Sequence, residues 1–167
     1  MRGTDGSANI TRGEADLRDL LQGGRFCSTM HRMTPFKQAT MVGSRVPTRL
    51  LLRFADPLGV SKKSLNALVG ASRAAVNRKM TADLPLCLGD SEHALGLARL
   101  IGHVEVMAQE SGNGDGVRSG RGLAAFLAAP SPALGGRSSG ELLRTNDGRI
   151  VVSTLLAQMQ RGTCQPE

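Results

Sequence analysis

The residues best equipped for chemistry are cations and an amide at helical spacing. Arg73, Asn77, Arg78 and Lys79 fall in one run, SRAAVNRKM, with Ser72 and Ala74 beside the first of them. Arginine and asparagine make paired hydrogen bonds to the edges of guanine and adenine, and lysine neutralises phosphate. On a helix, Arg73, Ala74, Asn77, Arg78 and Lys79 make up an outward side opposite Val76. Lys62 and Lys63 stand a short distance upstream. The expected chemistry is DNA recognition, with Arg73 and Asn77 at base edges and Lys62, Lys63 and Lys79 at phosphates. The plain alternative is a helical hairpin with a solvated basic face.

Catalytic chemistry has no comparable support. No Ser/His/Asp, Cys/His or metal-ligand grouping is visible, so no enzyme, metal or cofactor is expected. His93 and His103 are ten residues apart, which places them on different faces of one helix. His31 has no partner nearby in sequence and reads as packed or solvated. The glycine-rich stretch SGNGDGVRSGRG, residues 111–122, lacks the Lys-Ser/Thr pair and the preceding strand of a phosphate loop. It is expected to be a flexible linker.

Positioning the cations requires two helices and a turn. Ser61 can cap a helix running to about Val69, and its oxygen would take up an orphan backbone N–H of the first turn. Gly70 then stops that helix through a left-handed backbone. Ser72 caps a second helix to about Met80, giving a helix-turn-helix pattern. Leu65, Leu68, Val69 and Val76 would form the internal seam. Asn66 must tilt outward there or find a partner.

Upstream, Ala15 to Leu21 allows a short helix, FCSTMHRMTP looks irregular, and residues 1–35 are expected to form a poorly ordered arm. Thr34 and Pro35 look like a helix start, with Phe36, Ala39, Thr40 and Val42 facing inward and Gly43 at the end. Val46 or Thr48 begins another helix through Phe54 or Ala55, broken by Pro57 and Gly59. Downstream, Asp90 or Ser91 caps a long helix to about Gln109, with Ala94, Leu97, Ala98, Ile101, Val104 and Ala108 as its apolar stripe. Leu123 to Ala129 is a short helix. Asn146-Asp147-Gly148 allows a hairpin turn, but Val152, Leu155, Leu156 and Met159 fit a closing helix that ends at Gly162.

The charge is unevenly placed. The net +7 divides into +1 over residues 1–35, +8 over residues 36–82 and −2 over residues 83–167. The cationic segment is the one that holds the helix pair, as a phosphate-binding module requires. With 40% apolar residues, no Trp or Tyr and four Phe, the core must come from Leu, Val, Ala and Met. No apolar run is long enough for a bilayer, and the start lacks the apolar stretch of a secretion signal. Three separated cysteines fit a reducing cytoplasm.

From about Val42 to Gly162 the chain resembles the Xre/MbcA/ParS antitoxins of bacterial type II toxin–antitoxin modules. LGVSKKSLNALVGASRAAVNRKM looks like their helix-turn-helix. LGDSEHALGLARLIGHVEVM and FLAAPSPALGGRSSGELLRTNDGRIVVSTLLAQMQRG look like their toxin-binding part. The resemblance implies an all-α chain with an Xre-like DNA-binding domain over 36–83 and a helical toxin-binding domain over 84–167. It implies promoter DNA, a cognate toxin of the RES type acting on NAD, and a homodimer as partners. By matched position the toxin-binding segment would be Leu155, Leu156, Met159, Gln160, Arg161 and Gly162. The alternative function is a stand-alone transcriptional regulator with a helical dimerisation domain.

Overall fold

Helices begin where a side chain can satisfy the first free N–H groups, and several starts here are of that kind. In the computed structural model, which describes residues 25–112 and 116–162 but not the side chains of 116–118, Thr34 Oγ1 accepts from the Lys37 N–H at 3.4 Å. The helices are α1 (Phe26–Arg32), α2 (Pro35–Gly43), α3 (Thr48–Arg53), α4 (Ala55–Leu58), α5 (Lys62–Val69) and α6 (Arg73–Thr81). After them come α7 (Leu88–Glu110), α8 (Gly116–Ala128), a 3-10 turn at Pro132–Leu134, α9 (Ser139–Leu142) and α10 (Asn146–Gln160). No strand is present among the described residues, so the fold is all-α as the sequence implies.

Four local expectations are corrected. Residues Phe26–Arg32, expected to be irregular, form α1, which has no side-chain cap and owes its shape to burial of Phe26, Cys27 and Met30. Phe36 points outward at 77% exposure, and Met41 takes the inward position on α2. α7 starts earlier than Asp90, because Cys87 Sγ accepts from the Asp90 N–H at 3.4 Å. Residues 116–122 are helical, so the linker is shorter than expected. The short helix expected over Ala15 to Leu21 lies outside the described residues, as do the tail beyond Gly162 and residues 113–115.

α7 is the axis. Of its predicted stripe, Ala94, Leu97, Ala98 and Ile101 are buried and Val104 and Ala108 half-buried, but Leu95, Gly96, Leu100, Gly102 and Val106 are buried too. A helix buried nearly all round must have neighbours on several sides. α1 lies against it so closely that a Cβ at Gly102 would strike the Cys27 carbonyl. Phe26 stacks on Phe54 at 6.1 Å between ring centroids, which ties α1 to the end of α3. Gly120 likewise lets α8 close on the Pro57 carbonyl at α4. Leu123, Leu127, Leu143, Val152 and Leu156 complete one apolar cluster with Leu50, Leu51, Leu58, Leu65 and Val69. Each such side chain stabilises the fold by about 1.5–3 kcal/mol.

Polar bonds fasten the cationic segment to α7. The Val46 N–H donates to Ser91 Oγ at 2.9 Å, and the Leu86 N–H donates to the Val46 carbonyl at 2.8 Å. Thr48 Oγ1 donates to the Leu84 carbonyl at 2.7 Å. His93 Nδ1 sits 2.8 Å from the Val69 carbonyl at the end of α5. These bonds fix where α5 and α6 stand on the body of the molecule.

Candidate nucleic-acid and partner interfaces

α5 and α6 are built by the caps read from the sequence. Ser61 Oγ accepts from the Ser64 N–H and Ser72 Oγ from the Ala75 N–H, both at 3.1 Å. Gly70 has φ +73°, a backbone that a side chain would strain, so the turn depends on it. Leu65, Val69, Ala71 and Val76 are buried in the seam, while Leu68 is half-buried. Asn66 did not tilt outward. It is 5% exposed, and its Oδ1 has no hydrogen-bond partner. An unpaired buried amide oxygen costs about 1–3 kcal/mol.

Burying Val76 sends the opposite side of α6 to solvent. Arg73, Ala74, Asn77 and Arg78 are exposed, as are Lys62 and Lys63 on α5. An open groove of about 770 Å³ between the two helices brings together Lys62, Lys63, Arg73 and Asn77. Two expected members of the set are committed elsewhere. The Ser72 oxygen caps α6, and Lys79 is half-buried with Nζ 4.0 Å from Asp90 of α7. Sequence reasoning passed over Arg45 and Arg49, which line a second hollow with Lys79. Arg49 pairs with Asp83 at 3.1 Å in the open, where such a pair contributes little. The only signal for these arginines was the charge excess of their segment.

α10 offers a different kind of surface. Thr145 Oγ1 caps it by accepting from the Gly148 N–H at 3.1 Å. Gly148, Arg149, Val152 and Leu156 are buried. Leu156, expected at an interface, is therefore a core residue. Gln160 Nε2 donates to Glu110 Oε2 at 3.1 Å and so holds α10 to the end of α7. Met159, Arg161 and Gly162 are exposed, and Leu155 is half-buried. Val151, which sequence reasoning left out, is 42% exposed and precedes Leu155 and Met159 at four-residue spacing. These three residues make one apolar stripe along the outside of the helix.

Before α10, the Ser138 hydroxyl and N–H both donate to Glu141 Oε1, at 3.1 and 3.4 Å. These bonds, with Arg137 beside them, hold the Glu141 carboxyl below the usual carboxylate range. Between α1 and α7, His31 and His103 stack at 4.7 Å between centroids. Burial lowers the basicity of both rings, and His103 and Arg99 lower that of His31 further. The Cys27 thiol nearby is pushed up to about 12 by burial, with Glu105 adding to the effect. Among the described residues no group of three or more metal-ligating side chains occurs, and no helix is long and apolar enough to cross a membrane.

No family model matches the chain. The Prs ADP-ribosylating antitoxin of Sphingobium sp. (strain YBL2) is 38% identical over 133 residues, which cover 80% of this chain and 84% of that protein.

Proposed function

The chain belongs to the same antitoxin family as the Sphingobium protein, and from that premise we propose that it neutralises a cognate toxin and represses its own operon by binding promoter DNA. Its role is binding and not catalysis. In this reading it is of the Xre/MbcA/ParS kind. Residues 36–83 read DNA as a helix-turn-helix, and residues 84–167 hold the toxin. The name of the relative joins it to ADP-ribosylation, a transfer that draws its group from NAD. That supports a partner toxin that consumes NAD, of the RES type.

One observation carries the DNA half of the reading. Val76 is buried while Arg73, Asn77 and Arg78 stand in solvent beside Lys62 and Lys63. A recognition helix needs that division, with its N-terminal residues free to reach base edges in the major groove. A second copy of the chain would place two such helices on a two-fold site, and a homodimer is part of the reading. The toxin half rests on the stripe of Val151, Leu155 and Met159, with Arg161 and Gly162 beyond it.

The test is co-purification of the chain with the product of the adjacent gene, paired with a promoter-binding assay. Retention of the partner and slowing of the promoter fragment together support the proposal. Promoter binding without a partner favours the stand-alone regulator. Retention of the partner with no promoter binding removes the DNA half.

A further inference from the structure

A hollow of about 270 Å³ lies where α1, α7 and α10 meet, far in character from the groove between α5 and α6, with which it shares no lining residue. Its polar lining includes His31 from α1, Arg99 from α7, and Asn146, Arg149 and Ser153 from α10. Among the described residues that line it there is no carboxylate. This is unexpected in a segment whose net charge is −2.

One of the two guanidinium groups is held in place by the fold. The Arg149 side chain is 9% exposed, with Nη1 donating to the Leu143 carbonyl and Nη2 to Glu92 Oε1, both at 3.2 Å. Gly96 makes room for it: a Cβ there would stand 2.7 Å from Arg149 Nε. Arg99 is exposed, and among the described residues no carboxylate forms an ion pair with it. Glu92 thus offsets one of two guanidinium charges, and one positive charge is left over.

We propose that this hollow is an oxyanion site that takes a phosphoryl group. Guanidinium and amide donors reach it from different helices, and the Ser153 hydroxyl adds another. That spread suits a tetrahedral anion, whereas a carboxylate is satisfied by one planar fork. The surplus positive charge attracts the anion, and His31 can add a second charge by taking a proton as a dianion arrives. The crowding is visible in the groups already there. Burial first, and then His103, Arg99 and Arg32, hold His31 below its ordinary basicity, with Glu110 opposing them. Burial also lowers Arg149, against the pull of Glu92 and with the push of Arg99. A bound phosphoryl group would reverse that balance at His31.

The test uses the full chain with inorganic phosphate, pyrophosphate or AMP, against chloride at matched ionic strength. The readout is the pH titration of the His31 ring protons by NMR. Phosphate at millimolar concentration is expected to move the His31 midpoint upward, with proton uptake on binding detectable by calorimetry in two buffers. Arg99→Ala is expected to weaken binding at least tenfold. Among the described residues Arg99 makes no side-chain hydrogen bond or ion pair, so an unchanged melting temperature will show that this variant is folded. Tighter binding of AMP than of inorganic phosphate identifies a nucleotide as the source of the group, and equal binding identifies the free ion. A His31 midpoint indifferent to all three probes overturns the proposal. So does a response that Arg99→Ala keeps, or one that acetate reproduces.

Discussion

α6 and α10 are built alike and face the world differently. Each is started by a hydroxyl cap, from Ser72 and Thr145, and each is anchored through valine, Val76 in one and Val152 in the other. α6 buries only Val76 and turns cations and an amide to solvent. α10 buries Val152 and Leu156 and still leaves Val151 and Met159 in the open, at 42% and 50% exposure. One helix carries more charge than its fold requires, and the other more apolar surface. Excess charge is suited to a polyanion, and an apolar stripe with a polar margin is suited to another protein. The contrast separates two partners by the physics of their surfaces.

The largest expected effect is on the apolar side. Val151→Asp with Met159→Asp should cost the toxin complex about 3 kcal/mol or more, since buried anchors dominate such interfaces. Neutralisation in a growth assay should fail while promoter affinity stays unchanged. Substitution is the right tool here, because cutting the chain after Thr154 would also remove Leu156 from the core. If the double variant still protects cells, α10 is not the gripping surface and the contrast loses one side.

Next in size, Arg73→Ala or Asn77→Ala should each cost about 1–3 kcal/mol of promoter affinity and relax sequence choice at one base pair. Toxin binding should not change. Unaltered affinity in a gel-shift titration of both variants would remove α6 from the groove. A smaller effect belongs to Lys62→Ala and Lys63→Ala, which should weaken all sequences alike and flatten the salt slope by about one each. Lys79→Ala should do less, because Lys79 is drawn toward Asp90.

The smallest expected effect sharpens the comparison from within the body of the fold. His31 and His103 have lowered basicity when folded. The unfolded chain therefore binds more protons as pH falls below about 6.5, the ordinary histidine value, and stability falls with it. Melting temperatures at pH 7.5 and 5.5 should show a decline that His31→Gln with His103→Gln lessens. Glu105 works in the opposite sense at lower pH, because burial raises its carboxyl.

How much of this was legible depended on whether a structure was specified locally. Ser61, Gly70 and Ser72 announce the α5–α6 turn because a cap needs only residues three apart. Exposure of Arg73, Asn77 and Arg78 followed from the helical period once Val76 was placed inside. α1 was not legible, since Arg25 before it supplies no cap and the helix forms by packing on Gly102. Gly116, Gly120 and Gly122 argued for a loop by propensity, yet Gly120 is what allows α8 to approach Pro57. The fold contacts of Lys79 and Gln160 were not legible, for a single reason. Their partners, Asp90 and Glu110, are chosen by tertiary approach and cannot be read from spacing.

The burial of α7 on nearly every side has a practical consequence. Severing the chain between Asp83 and Leu84 would leave each fragment with an open apolar seam, and neither would keep its shape alone. Mixed together, the two pieces should find one another and restore the molecule, so that fragment complementation would report on its folding in a living cell.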